Sequence, residues 1–96
     1  MQTNSVPDEL LSLRNQIDML DDELLSILAK RFEVTARVGK LKADNSLDPV
    51  DEDREHQKLI DLKARAAGKG LSPDFVLNLF KMVFAEVVEK HRAYLS

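Results

Sequence analysis

The feature that most limits what this chain can become is one run of apolar residues, stepped by three and four, that continues over most of the first half of the sequence. Leu10, Leu13, Ile17, Leu20, Leu24 and Ile27, then position 31, then Val34, Val38 and Leu41 fall at the interval that puts side chains on one face of an α-helix. Pro7 and Asp8 suit its opening, with Asp8 or Ser5 as cap, and the polar stretch from Ala43 to Ser46 suits its end. Gly39 is its one internal weak point. A helix from Leu10 to Lys42 is about 50 Å long at a rise of ~1.5 Å per residue. A compact domain of 96 residues has a radius of gyration of only about 12 to 13 Å. Such a helix overshoots its own domain, and its apolar stripe calls for a partner from another chain.

Two further helices follow. One is expected over 49–67, opened by Asp48 as cap with Pro49 in the first helical position and stopped by Gly68 and Gly70. The other is expected over 73–95, opened by Ser72-Pro73-Asp74 and carrying Val76, Phe80, Val83, Val87 and Tyr94 at helical spacing. With the first helix at 8–42, this predicts an all-α chain of long, short and medium helices in a single domain spanning 1–96. No repeat, low-complexity tract or strand-like alternation argues otherwise. A core from 96 residues gives modest stability alone, so a homodimer that buries more apolar surface is expected on size as well.

Composition removes several function classes. Apolar residues at 44% and charged residues at 32% suit a folded globular protein rather than a disordered one. A net charge of -3, with both signs interspersed, offers no broad basic face to a nucleic acid. There is no cysteine, no basic-then-apolar start and no apolar run of membrane-spanning length, so a disulfide-free cytoplasmic protein without membrane attachment is expected. His56 and His91 are the two histidines, and neither sits in a ligand pattern, so no metal is expected.

The residues that interrupt the pattern carry the chemistry. Arg31 takes a seam position whose neighbours in register are apolar, and an uncompensated guanidinium there costs several kcal/mol of desolvation. An anionic ligand, an internal carboxylate partner or a turn of Arg31 to the surface each resolves that cost. Lys42 lies close to three full turns further on, about 16 Å along the axis, so the two long side chains could converge on one ligand, although a solvated lysine fits the same position. Arg14 stands about 25 Å before Arg31 along the helix. It is an ordinary surface arginine in one chain, but two such helices crossing about a two-fold axis bring it beside Arg31 and Lys42 of the other chain.

In the second helix Asp51 and Glu55 share a stripe with Leu59, Leu62 and Ala66, and Arg54 flanks them. Asp51 to Asp53 also suit the positive end of the helix dipole, whereas Glu55 sits a turn deeper. In the third helix Val87 and His91 continue the stripe of Phe80 and Val83, which turns His91 inward, as a structural histidine or as a functional one.

Leu13-Arg14, Ile17-Asp18, Leu20-Asp21, Leu28-Ala29-Lys30-Arg31, Val38-Gly39-Lys40-Leu41-Lys42 and Asp53-Arg54-Glu55, in this order and spacing, resemble the all-helical class of chorismate mutases over nearly the whole chain. The resemblance implies three-helix chains that form intertwined homodimers with shared active sites, and a small dicarboxylate substrate, chorismate, rearranged to prephenate without a cofactor. It makes Arg31 and the second chain's Arg14 the carboxylate-binding arginines, with Arg54 a further basic residue of the site. Lys42 matches the lysine that donates to the ether oxygen. Glu55 matches the glutamate that accepts from the ring hydroxyl, and Asp51 matches an aspartate beside that hydroxyl. Val87 stands where a serine is common, and His91 where a glutamine or glutamate makes the second ether-oxygen contact.

Relatives on this scaffold act on near-identical substrates, as 4-amino-4-deoxychorismate mutases and isochorismate-pyruvate lyases. A reading from another class is a non-catalytic helical dimerisation module with Arg31 and Glu55 as a buried ion pair. The chain ends soon after the third helix, so no dehydratase, dehydrogenase or ligand-sensing domain is expected within it, and docking onto another enzyme of the aromatic pathway is left open.

Overall fold

A computed structural model describes residues 6–48 and 50–93, with side chains described through residue 90. Three helices account for it: α1 (Asp8–Asp44), α2 (Glu52–Gly68) and α3 (Pro73–Ala93), with no strand among the described residues. The chain is all-α, long then short then medium, as the spacing of its apolar residues predicts.

Local chemistry explains each start and stop. α1 opens where the Pro7 carbonyl accepts from the amides of Leu10 (3.0 Å) and Leu11 (3.2 Å), with Asp8 and Glu9 at the positive end of the dipole. It runs unbroken through Gly39 and ends two residues beyond the expected position 42. There the Leu47 amide reaches back to the Lys42 carbonyl (2.7 Å) and the Ser46 amide to Ala43 (3.1 Å), with Ser46 in the left-handed region at φ 58°. Glycine is the usual residue in that role because it carries no Cβ. The Leu41 carbonyl accepts from the Asn45 amide at 3.1 Å and again from the Asn45 side chain at 2.8 Å.

α2 begins later than the Asp48-Pro49 pair suggests. Asp48 accepts from the Val50 amide at 2.9 Å, which closes a local turn. The cap is Asp51, in extended conformation (φ -122°, ψ 92°), accepting from the Arg54 amide at 3.1 Å. A capping carboxylate must reach an amide three residues ahead, and only Asp51 stands at that distance from the first free amides of the helix. Pro49 lies outside the described residues, as do Ser5 and the expected last turn of the third helix to residue 95.

Two units are best described separately. In the first, residues up to Glu33, α1 has no buried residue among those described, and its seam is open: Leu13, Ile17, Leu20 and Leu24 are all exposed. In the second, from Val34 onward, α2 and α3 pack as a helical hairpin around Ala66 (2% exposed), Val76 and Val83 (7%). The link between them is short. The Leu71 amide returns to Ala66 (2.9 Å) and the Gly70 amide to Ala67 (3.3 Å), with Gly70 at φ 73°, and Ser72 Oγ then accepts from the Phe75 amide (3.3 Å) to start α3. Phe80 and Phe84 meet edge to face, one turn apart, with centroids at 6.1 Å. Among the described residues no helix is long and apolar enough to cross a membrane.

Candidate active site

Beyond Glu33 the half-buried positions of α1 do not follow the large apolar residues. In the second unit Val34, Val38 and Leu41 are exposed, while Thr35, Ala36, Lys42 and Ala43 are half-buried and Gly39 is buried. Apart from Lys42, the half-buried side chains of this stretch are small, and Val34, Val38 and Leu41 face out. In the first unit the half-buried residues of α1 are Leu28, Arg31 and Phe32. Arg31 thus lies on a covered stretch, with its Nη1 closed off from solvent. Arg14 is exposed.

Lys42 is positioned by the last turn of α1 and by the reversal through Ser46 that follows it. It lines an open cleft of ≈ 610 Å³ together with Leu47, Val50 and Asp51 to Asp53. Asp51 therefore reaches the same cleft as Lys42, and one of its carboxylate oxygens serves as the cap of α2. The acidic side chains here lie at the positive end of the helix, which favours them without any ligand. Among the described residues no three acidic or histidine side chains are grouped as a metal ion would need.

Glu55 is half-buried and faces elsewhere. It borders a groove of ≈ 390 Å³ between α2 and α3, with Val50, Leu59, Phe84 and Val88 as its apolar wall and Lys81 and Glu89 at its margin. Val87 is half-buried on α3, and its neighbour Val88 is the one that lines the groove. Arg54 is exposed and belongs to a third cleft of ≈ 490 Å³ with Gln57, Lys58 and Asp61. His91 lies in α3, and its side chain falls outside the described residues.

Within the second unit, then, Lys42 and Asp51 share a cleft, while Glu55 and Arg54 each look onto a separate one. Neighbours on a helix are turned about a hundred degrees from each other, and in this hairpin Arg54 and Glu55 border different clefts. Lys58, Lys81 and Glu89 also border these clefts. Lys58 carried a usable signal, since it stands four residues after Arg54 and so shares its face.

What the fold and these positions define is a class of all-helical proteins, here with Arg31 and Lys42 half-buried on the long first helix and Arg14 and Arg54 exposed. The family model for chorismate mutase type II matches residues 13–92, and the chain belongs to that family. Among similar proteins, the T-protein of Enterobacter agglomerans is 37% identical over 78 residues, which is 81% of this chain and 21% of that protein. The bifunctional chorismate mutase/prephenate dehydratase of Escherichia coli (strain K12) is 34% identical over 87 residues, 91% of this chain and 22% of that protein. The 4-amino-4-deoxychorismate mutase of Streptomyces venezuelae is 30% identical over 81 residues, 83% of this chain and 78% of that protein. The chain thus spans about a fifth of the length of the T-protein and of the bifunctional relative.

Proposed function

We propose that this chain is a chorismate mutase that rearranges chorismate to prephenate, working as an intertwined homodimer in the cytoplasm. The observation that carries the proposal is the family match over residues 13–92, which contains every candidate site residue from Arg14 to His91. In that rearrangement one carbon–oxygen bond breaks as a carbon–carbon bond forms, all atoms are retained and no proton is transferred. Conformational restraint and electrostatics are the levers it needs.

The roles follow from charge and reach. Arg31 and the Arg14 supplied by the second chain hold the two carboxylates, which keeps the flexible arm of the substrate folded over its ring. Lys42 faces the ether oxygen as negative charge develops there; loss of such a donor costs about 3 to 4 kcal/mol, a hundredfold to a thousandfold in rate. Glu55 accepts from the ring hydroxyl with Asp51 close by, and Arg54 adds positive potential. Val87 replaces a polar contact with an apolar one. His91 gives the second donor to the ether oxygen as imidazolium, so kcat falls as pH rises through the histidine range. A flat kcat profile with pH, or full activity in His91→Ala, overturns that role.

Similarity to the Streptomyces venezuelae protein, most of whose length is covered, supports a second reading in which the substrate carries an amine where chorismate has its hydroxyl. Glu55 accepts from either group. The bifunctional names of other relatives support a further reading in which another enzyme of the aromatic pathway works alongside this one. The deciding experiment incubates the purified protein with chorismate, isochorismate and 4-amino-4-deoxychorismate and identifies the products. Prephenate from the first substrate at the highest kcat/KM upholds the proposal. Faster turnover of either alternative reassigns the substrate, and no turnover of any leaves the helical dimerisation module.

A further inference from the structure

We infer that Lys58 is a further substrate-binding residue, which acts with Arg54 as a two-cation clamp on one carboxylate of an anionic substrate; this rests on the chorismate-mutase reading above. Arg54 and Lys58 stand one turn apart on α2 and line the same cleft with Gln57 and Asp61. Like charges at this spacing disfavour the helix by about 0.2 to 0.5 kcal/mol. Nothing in the cleft relieves them. Asp61, its carboxylate, is turned to Arg65, with Nε to Oδ2 at 3.1 Å. Among the described residues neither Arg54 nor Lys58 has a carboxylate within ion-pairing distance, although Asp51 and Glu55 lie within a turn of them in sequence.

Burial adds the second constraint. Lys58 is half-buried although it is flanked by Arg54, which is exposed. Part of the lysine stem is covered, which leaves its ammonium reaching toward water. An exposed arginine beside it offers a planar fork. A carboxylate seated between them takes two hydrogen bonds from the fork and one from the ammonium, all charge-assisted. Gln57, at the same rim, adds a neutral amide donor.

The test uses the full chain and variants Lys58→Met, Lys58→Glu and Lys58→Arg. Lys58→Met raises KM for chorismate about tenfold with a smaller change in kcat, the loss of one charge-assisted hydrogen bond. Lys58→Glu raises it further, and Lys58→Arg restores it. The rise of KM with salt becomes shallower in Lys58→Met, because one screened attraction is gone. A purely structural role would instead lower the thermal midpoint of Lys58→Met and leave the salt dependence as it was. A KM within about twofold of the parent chain, with the same salt dependence, overturns the inference.

A second measurement separates this inference from the proposed activity. Titration of the isotopically labelled chain with succinate, a simple dicarboxylate, shifts the amide resonances of Arg54 and Lys58, and the shifts vanish in Lys58→Met. If the chain turns over no substrate while these shifts appear, the activity proposal fails and with it the substrate role of Lys58, leaving Arg54 and Lys58 as a carboxylate-binding pair. If turnover occurs without them, the clamp fails.

Discussion

The stretch up to Glu33 and the stretch from Val34 onward meet the same requirement, hiding apolar side chains, with opposite success. In the second, Ala66, Val76 and Val83 are buried between α2 and α3, and the hairpin has a core of its own. In the first, one amphipathic helix shows Leu13, Ile17, Leu20 and Leu24 to solvent, with Leu20 at 62% exposure, and buries none of the described residues. Each such side chain contributes about 1.5 to 3 kcal/mol when covered. Packing rather than propensity stabilises most helices in proteins, so the first stretch depends on something outside itself. A helical hairpin is a local solution, whereas the open seam of α1 is the face that the proposed homodimer would cover.

The sharpest way to break this contrast is Leu20→Asp. On a helix that stays in water the change costs under about 0.5 kcal/mol. In the proposed dimer it buries two charges against apolar surface, so the variant is expected to be monomeric and largely unfolded at micromolar concentration, as sedimentation and circular dichroism would show. Unchanged mass and midpoint would remove the case for a partner at this face.

The next effect sharpens the contrast by asking whether the two stretches complete each other across chains. Arg14→Ala and Arg31→Ala are each expected to lose about a hundredfold or more in kcat/KM. When the two variants are mixed and allowed to exchange subunits, activity returns, because one site of each heterodimer has both arginines. No recovery after exchange is verified would place each site within one chain.

Smaller effects belong to the hairpin. Val83→Ala removes two methyl groups from a residue only 7% exposed, and a loss of about 1 to 3 kcal/mol is expected in denaturant melts. Ser72→Ala removes the cap that accepts from the Phe75 amide and is expected to cost about 1 kcal/mol. Both differ in kind from Leu20→Asp, since they weaken contacts within one chain. A hairpin variant that changes the oligomeric mass would blur the distinction.

Much of this molecule was legible without coordinates. The period of Leu10 to Leu41 is that of α1, and Ser72-Pro73-Asp74 marks the start of α3. The failure at α2 is instructive. Asp48-Pro49 and Asp51 both carry start signals, and sequence order does not say which aspartate reaches a free helical amide and which closes a turn. The site was less legible than the fold. Arg31, Lys42, Asp51, Arg54 and Glu55 were picked out by their clash with an apolar pattern or by family resemblance, and Lys58 clashes with nothing.

The sequence alone determined the helices, their stops and the family, because periodicity, caps and motif order depend on residues within a few turns of each other. The tertiary structure decided that α2 pairs with α3, that Asp51 shares a cleft with Lys42 while Glu55 looks into the α2–α3 groove, and that Lys58 joins Arg54. Those groupings depend on how far one helix is rotated about its own axis against its neighbour. Packing of small residues such as Ala66 sets that rotation, and no local rule contains it.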